Sequence, residues 1–295
     1  MPELPEVETV KRGLAPLLVG KKILAIDYDW PKSFPNAPSD VEQFLIGSSV
    51  VAVKRRAKVL LISLSSKYSL IIHLRMTGQL VYRSNDNKND FGAGHPNDSL
   101  VGDLPDKSTR VIIGFKEGTL FFNDQRKFGY IRLVPTIEIP LIDFFKKVGP
   151  EPLSATFTKA QFRQRLNRRA NTAVKAALLD QSVIAGIGNI YADESLWGAR
   201  IHPSTLVKNV STLNMNVLFD EIRHVLTLAI EKGGSTDKNY VNHEGKRGNY
   251  LTFARVFRKE RQPCPRCGTI IEKLRVAGRG THICPKCQPK KGSTR

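Results

Sequence analysis

Four cysteines form the clearest chemical pattern in the chain. They lie within CPRCGTIIEKLRVAGRGTHICPKC with the spacing C-x2-C-x16-C-x2-C, as Cys264, Cys267, Cys284 and Cys287. Two such close pairs can bring four thiolates to the corners of a tetrahedron around one structural Zn²⁺. The VAGRG segment between them is typical of a turn, which predicts a zinc-held β-hairpin with Arg279 near its end. Two disulfides are the alternative, but nothing else in the sequence indicates export.

The first ten residues, MPELPEVETV, place acids and prolines directly behind Met1. Acids at this point are ordinary helix-start residues, because they complement the helix dipole. The alternative is that the chain terminus is itself a reagent. An α-amine with a pKa of about 8 is roughly 10 % free base at pH 7, whereas a surface lysine with a pKa of about 10.4 is almost entirely protonated. From the residues alone, both interpretations stay open.

A third pattern, AGIGNIYADESLW at 185–197, joins two helical stretches. Its glycines permit a tight turn, and the free amides at the start of the next helix can hold a phosphate. Asn189 can add a side-chain hydrogen bond. In a basic chain this favours a helix–turn–helix clamp on the DNA backbone, although a plain connection between helices explains the glycines equally well.

The composition indicates the kind of partner. The chain has 295 residues, a net charge of +19 and a pI near 9.9. Such an excess of basic residues predicts a polyanionic partner, either nucleic acid or an anionic membrane surface, or else simply a basic solvated surface. No run approaches the ~18 apolar residues of a membrane-spanning helix. The N-terminus also lacks the basic and apolar regions of a signal peptide, so we expect a cytoplasmic protein.

The hydrophobic pattern divides the chain into two parts. Residues 4–18 have helical periodicity, and 22–134 contain short β-branched or aromatic runs that predict an antiparallel sandwich or barrel-like domain. Within that part, the polar segment 84–109 is expected to be a long surface loop. Pro- and Gly-containing segments near 135–154 mark a boundary, and helical periodicity follows until Gly233 and Gly234.

Taken in order, several motifs resemble those of bacterial formamidopyrimidine-DNA glycosylases. They are MPELPEVETV, RRAK, HLRMTG, NDQRKFG, GPEPL, LLDQSVIAGIGNIYADE, IHP, GGST and the cysteine hairpin. The resemblance implies a bifunctional enzyme of base excision repair that removes 8-oxoguanine and formamidopyrimidines from duplex DNA and then acts as a lyase through β,δ-elimination. The opening PELPEV, in place of PEGPE, favours this branch over the endonuclease VIII branch.

The same resemblance implies an α+β multidomain fold. We expect an N-terminal antiparallel β-sandwich led by a helix, and a C-terminal helical domain with a helix–two-turn–helix motif and a zinc-held hairpin. The predicted domains are a catalytic domain at 1–134, a linker at 135–152, a DNA-binding domain at 153–262, a zinc hairpin at 263–288 and a disordered tail at 289–295.

Catalytic roles follow from the resemblance. Pro2, exposed by removal of Met1, is implied as the nucleophile, because a secondary amine forms a cationic iminium that serves as an electron sink. Glu3 is implied as the acid that protonates the opening sugar, and Glu6 as its supporting acid. Lys58 is implied to reach into the site. By itself, such a lysine is usually a solvated strand end.

DNA contacts are implied in the same way. His73, Asn189 and Arg279 would contact phosphates, with Tyr191 near Asn189. Met76, Arg126 and Phe128 would fill the space left by a flipped nucleotide, although Met76 and Phe128 alone would more often be core residues. A mobile loop would close over the everted base, with Lys238 as a weaker contact. The implied loop residues are Ser235, Thr236, Asp237 and Tyr240.

Two segments depart from the family pattern. The loop at 84–109 looks longer than usual, and RVFRKERQPC at 255–264 replaces a Tyr-Gly-Arg-x-Gly pattern with larger basic residues. We expect a monomer in the bacterial cytosol or nucleoid, without a membrane partner, that binds lesion-containing duplex DNA and one Zn²⁺. The rival hypotheses are an oxidised-pyrimidine glycosylase and a zinc-ribbon DNA-binding protein without catalytic activity.

Overall fold

The computed structural model describes residues 2–235 and 249–290. The chain divides into two compact units: residues 1–146 with 232–249, and residues 147–231 with 250–295. The first unit thus includes a segment that lies far along the chain, between the two parts of the second unit. No helix in the described part of the chain is long and apolar enough to cross a membrane.

The first unit begins with α1 (Leu4–Leu18), as the periodicity predicts. Its start is a capping box, in which Glu3 accepts from the backbone of Glu6 and the Glu6 side chain accepts from the backbone of Glu3. This reciprocal arrangement satisfies amides that have no partner within the helix. Val7, Val10 and Leu14 lie on its buried face. Helix α1 therefore enters the hydrophobic core directly behind the chain terminus.

Two antiparallel sheets share that core, which confirms the predicted sandwich. The five-stranded sheet has the order β1–β7–β8–β5–β6, and the four-stranded sheet has the order β2–β3–β4–β9. The strands are β1 Ile23–Tyr28, β2 Val50–Arg56, β3 Val59–Leu64, β4 Tyr68–His73, β5 Gly78–Ser84, β6 Phe91–Gly94, β7 Thr109–Phe115, β8 Gly118–Asp124 and β9 Tyr130–Pro135. Short helices connect them: α2 (Pro38–Asp40), the π-helix Val41–Leu45, the 3₁₀ helices Asp98–Leu100 and Thr136–Leu141, and α3 (Asp143–Lys147).

The expectation of a plain surface loop at 84–109 is wrong. Phe91–Gly94 forms β6, which pairs with β5, and the ring of Phe91 packs against Gly13 of α1. Leu100 is buried with Val81 and Phe121 in a separate cluster. The polar composition concealed this order because side-chain hydrogen bonds, such as Ser108 to Asp106 at 2.7 Å, organise the turns between a few apolar anchors.

The second unit is helical with a β-hairpin. Its helices are α4 (Lys159–Asn167), α5 (Val174–Leu179), α6 (Asn189–Gly198), the 3₁₀ helix Val207–Asn209, α7 (Thr212–Glu231) and α8 (Tyr250–Phe253). The hairpin strands are β10 (Glu272–Val276) and β11 (Arg279–Ile283). Ala277 and Gly278 connect them with φ of 48° and 74°, which is the left-handed conformation of a tight two-residue hairpin turn. Of the predicted tail, residues 291–295 lie outside the described residues.

Candidate active site and nucleic-acid interface

Pro2 and Glu3 lie at a buried, acidic position. Pro2 is buried, and the side chain of Glu3 is only 2 % exposed. The amide of Glu3 donates to Glu6 Oε2 at 2.8 Å. The capping box of α1 therefore also fixes the two carboxylates relative to the residue that would become the new terminus after removal of Met1.

The second oxygen of Glu6 holds a distant segment. Glu6 Oε1 accepts from Ser235 N at 2.6 Å and from Ser235 Oγ at 2.7 Å. Gly234 has a φ of +85°, and a Cβ there would lie 3.0 Å from Glu6 Oε1. Both the backbone conformation and the close approach therefore favour glycine at this position. Ser235 is the first residue of the predicted lesion-base loop; Thr236, Asp237, Lys238 and Tyr240 lie outside the described residues.

Lys58 occupies the turn between β2 and β3 and is 7 % exposed, so it is not a solvated strand end. Ala57, which precedes it, has a φ of 53°. The carbonyl of Ala57 accepts from Arg55 Nη1 at 2.8 Å, and Arg55 also pairs with Glu8 at 3.0 Å. This network supports the tight turn that carries Lys58 into the protein.

His73 lies at the end of β4, where Val59 and Tyr130 are its partners on the neighbouring strands. Burial, together with the positive charges of Arg75 and Lys58, lowers the pKa of His73 to about 3. His73 Nδ1 accepts from Arg75 N at 3.0 Å. The neutral ring therefore carries its proton on Nε2, so that it can donate one hydrogen bond to an anionic oxygen without being a cation.

Met76, Arg126 and Phe128, the residues predicted to fill the space of a flipped nucleotide, are called the wedge residues. Two of them, Arg126 and Phe128, are positioned by the buried carboxylate of Asp124. Asp124 Oδ2 accepts from Phe128 N at 2.8 Å and from Gly129 N at 2.6 Å, while Oδ1 accepts from Arg126 N at 3.1 Å. Phe128 is 55 % exposed, so it is not a core residue. The Arg126 guanidinium lies 4.8 Å from its ring centroid. Asp124 is absent from the predicted site residues, although it belongs to the NDQRKFG segment.

Asp124 also ties the third wedge residue to this loop. Thr77 Oγ1 donates to Asp124 Oδ1 and accepts from Arg126 N at 3.1 Å. Met76, which precedes Thr77, is partly exposed. The turn after β4 and the loop after β8 are thereby joined, and Met76, Arg126 and Phe128 lie on two connected loops of the first unit.

The second unit brings together two of the predicted phosphate contacts. Asn189 is the first residue of α6, directly after the N-cap Gly188. Its Nδ2 donates to the carbonyl of Gly280 at 3.0 Å. Arg279, the neighbour of Gly280, opens β11 at the tip of the hairpin and is exposed. The helix start and the hairpin tip are therefore adjacent.

Tyr191 differs from the other predicted DNA contacts in the burial of its side chain. Its side chain is 0 % exposed and packs against Tyr250, with the ring centroids 5.3 Å apart. A ring at this position supports α6 from inside the hydrophobic core. The period of α6 explains the difference, because Tyr191 lies on the buried face whereas Asn189 starts the helix.

The four cysteine sulfurs fit a zinc site. All four Sγ atoms lie within 4.8 Å of one another. Three of the pairs are 3.9, 3.4 and 3.5 Å apart. Zn–S bonds of about 2.3 Å in a tetrahedron require sulfur separations of roughly 3.8 Å. The group therefore has the donor atoms and the spacing that one structural Zn²⁺ needs.

The divergent segment at 255–264 retains an ordered conformation. The buried carboxylate of Glu194 accepts from the amides of Arg255, Val256 and Phe257 at 2.9, 2.9 and 2.8 Å. Arg258 and Arg261 adopt φ of 58° and 68°, a region that favours glycine. Arg258 and Arg261 thus adopt a backbone conformation that glycine, the residue found twice in the Tyr-Gly-Arg-x-Gly pattern, adopts with less strain.

Three family models match the chain. They are the formamidopyrimidine-DNA glycosylase N-terminal domain at residues 1–131, the formamidopyrimidine-DNA glycosylase H2TH domain at 148–240, and the zinc finger found in FPG and IleRS at 261–290. Together they cover most of the chain, and their boundaries follow the sandwich, the helices and the cysteine hairpin.

Curated relatives match over nearly the full length. The formamidopyrimidine-DNA glycosylase of Latilactobacillus sakei is 41 % identical and covers 99 % of this chain and 100 % of its own length. That of Chloroflexus aurantiacus is 44 % identical and covers 98 % of both chains. A solved structure of Lactococcus lactis Fpg with DNA containing an abasic site has a TM-score of 0.85 and 35 % identity, covering 98 % of this chain and 100 % of that one. A Lactococcus lactis Fpg mutant with Fapy-dG DNA has a TM-score of 0.86, with the same identity and coverage.

Proposed function

Since the chain belongs to the formamidopyrimidine-DNA glycosylase family, we propose that it excises oxidised purines from duplex DNA with the amine of Pro2 as its nucleophile. The family activity is that of a DNA glycosylase with lyase activity at abasic sites, in base excision repair. The observation that carries the assignment of Pro2 is the acidic terminus, where Glu3 and Glu6 lie beside the residue that Met1 removal would expose.

The chemistry of Pro2 follows from its ring. Its nitrogen attacks C1′ of the damaged nucleoside, the bond from C1′ to the base breaks, and the base leaves with the bonding electron pair. Ring opening of the sugar then gives an iminium. Because the nitrogen of Pro2 is secondary, this iminium cannot lose a proton to become a neutral imine and remains an electron sink. Loss of a C2′ proton expels the 3′ phosphate, and a second elimination expels the 5′ phosphate.

Glu3 is the group assigned to proton transfer. Its carboxyl group protonates the sugar ring oxygen as the ring opens, which makes C1′ electrophilic. Glu6 has a positioning role, because both of its oxygens are occupied by hydrogen bonds from Glu3 N and Ser235. Ser235 begins the loop that would enclose the everted base, so Glu6 would connect base recognition with the position of the nucleophile.

The remaining residues would hold the DNA. Lys58, His73, Asn189 and Arg279 are assigned to backbone phosphates, where His73 donates as a neutral ring through Nε2. Flipping a nucleotide costs a few kcal/mol of lost stacking. Phe128, Arg126 and Met76 would offset that cost by occupying the vacated space, and the exposure of Phe128 supports this role. We further propose that the protein acts as a monomer in the bacterial cytosol.

The test is reduction with borohydride in the presence of a duplex carrying one 8-oxoguanine. The iminium is reduced to a stable amine, so we expect a covalent protein–DNA adduct that peptide mapping assigns to Pro2. A chain whose N-terminus is extended by a non-removable tag is the matched control and should give no adduct. An adduct that maps to Lys58, or efficient trapping of the extended chain, would contradict the proposal. A duplex with thymine glycol should react more slowly.

A further inference from the structure

The second unit contains a fully buried ion pair that the proposed reaction does not use. Lys175 is the second residue of α5 and Asp193 lies in α6, and both are 0 % exposed. Lys175 Nζ lies 2.6 Å from Asp193 Oδ1. Removing both charges from water is costly, so such a pair often stabilises a protein no more than apolar residues of similar size would. The main effect of the pair is therefore on the positions of the groups that it contacts.

The ammonium group of Lys175 reaches the zinc hairpin. Its Nζ donates to Thr281 Oγ1 at 2.7 Å and to the carbonyl of Gly280 at 3.2 Å. The ammonium group therefore combines its ion pair with Asp193 with two hydrogen bonds to the hairpin. One lysine thereby joins α5, α6 and β11.

The same contacts extend to Asn189 and Arg279, the two residues of this unit that are predicted to bind phosphates. The carbonyl of Gly280 accepts from Asn189 Nδ2 at 3.0 Å as well as from Lys175. Thr281 Oγ1, which accepts from Lys175, donates in turn to the carbonyl of Arg279 at 3.1 Å. Lys175 therefore holds the carbonyl of Gly280 directly and the carbonyl of Arg279 through Thr281, and the Gly280 carbonyl also accepts from Asn189.

Asp193 holds the hairpin from its other oxygen. Its Oδ2 accepts from His282 N at 2.9 Å and lies 3.2 Å from His282 Nδ1. The ion pair thus contacts three consecutive residues of β11, from Gly280 to His282. Such a connection fixes the register of β11 against α6, which a non-directional hydrophobic contact would not do.

We propose that Lys175 is a positioning residue, which with Asp193 holds Arg279 and Asn189 in one fixed arrangement so that the two side chains bind the DNA backbone as a unit. The inference rests on the proposed function, because it takes Arg279 as a phosphate contact. Lys175 itself is buried and does not touch the DNA.

The experiment measures binding to a duplex with a tetrahydrofuran abasic analogue over a range of salt concentrations. Loss of one phosphate contact lowers the slope of log affinity against log salt by about 0.9. Arg279→Ala provides this reference. The test variant is the double replacement Lys175→Met with Asp193→Asn, which removes both buried charges and leaves an acceptor for His282 N. Zinc content and far-UV circular dichroism verify that it is folded.

The matched control is Lys159→Met. Lys159 pairs with Asp220 at 2.6 Å on the surface of the same unit, and the replacement removes one positive charge. If only the net charge of the protein mattered, Lys159→Met would bind DNA as weakly as Arg279→Ala, which also removes one positive charge. We expect it to bind with an affinity within about twofold of the parent chain, because an exposed pair is largely screened.

We expect the double variant to bind about tenfold more weakly and to show the same reduced slope as Arg279→Ala. Adding Arg279→Ala to it should lower affinity by less than about twofold, because the two changes remove the same contact. A parent-like slope in the folded double variant, or full additivity with Arg279→Ala, would overturn the inference alone. If Arg279→Ala itself kept the parent slope, the phosphate assignment would fail, and the inference with it.

Discussion

Glu6 and Ser235 are joined by two hydrogen bonds across 229 residues of sequence, with Glu6 Oε1 2.6 Å from Ser235 N and 2.7 Å from Ser235 Oγ. The other oxygen of Glu6 accepts from the amide of Glu3. A single carboxylate thus connects the start of α1, beside the proposed nucleophile Pro2, to the first residue of the predicted lesion-base loop. The position of Ser235 and the geometry at the start of α1 are therefore coupled.

Ser235→Ala tests this coupling. Loss of one hydrogen bond to a charged group corresponds to about 1.5–3 kcal/mol, so we expect excision of 8-oxoguanine to slow by roughly 10- to 100-fold in single-turnover assays. Strand scission at a preformed abasic site is the control, because it requires no bound base, and it should change less than about threefold. Equal losses on both substrates would mean that Ser235 supports the terminus but not base recognition.

The low pKa of His73 predicts that the free energy of unfolding decreases as the pH falls. The pKa of His73 is about 3 in the folded chain, against about 6.5 for an ordinary histidine. Below pH 6.5 the unfolded chain binds a proton that the folded chain does not, so this contribution to stability is complete above pH 6.5 and is lost progressively as the pH falls toward 3. The variant His73→Asn lacks this titration. Compared with the parent, it should therefore be about 2 kcal/mol more stable at pH 5 than the same comparison gives at pH 7.

The measurement for His73 is urea unfolding at both pH values. The exposed His224→Asn is the control, and its stability should follow that of the parent at both pH values. If the difference in stability between His73→Asn and the parent were the same at pH 7 and pH 5, the low pKa of His73 would be refuted.

Replacing Phe128 and replacing Asp124 should have different effects, because the first residue is predicted to contact DNA and the second supports its loop. Phe128→Ala removes an exposed ring, so we expect unfolding free energy to change by less than about 0.5 kcal/mol while excision from duplex DNA slows about tenfold. Asp124→Ala leaves several loop amides without their acceptor and should destabilise the protein by about 2–3 kcal/mol. Thermal unfolding and single-turnover excision report the two effects, and a strongly destabilised Phe128→Ala would contradict the assignment.

Removal of zinc should abolish DNA binding through the hairpin. Without the metal, the four thiolates no longer hold the ends of β10 and β11, and Arg279 loses its position beside Asn189. We expect a chelator, or Cys267→Ser, to weaken binding of abasic-analogue duplex at least tenfold, and added Zn²⁺ to restore the chelated protein but not the variant. Affinity that survives verified loss of zinc would show that the hairpin does not hold DNA.

Local patterns were sufficient for much of the fold. Helix α1, the strands of the sandwich and the cysteine hairpin follow from periodicity and spacing, because each depends on residues close together in sequence. The segment 84–109 was mispredicted because its few buried anchors, such as Phe91, gain their partners from α1 and the sheet. The burial of the Tyr191 side chain was not predicted for a related reason, since one motif can place neighbouring residues on opposite faces of a helix.

By itself, the sequence determined that the chain carries a zinc-binding cysteine set, a basic character suited to DNA and the motifs of its family. Only the tertiary structure decided which side chains act together. Glu6 meets Ser235, Thr77 meets Asp124, and Lys175 meets Asp193 and the hairpin, each through directional hydrogen bonds between separate elements. Such contacts depend on distances of a few tenths of an ångström after packing, and no local pattern of residue types specifies them.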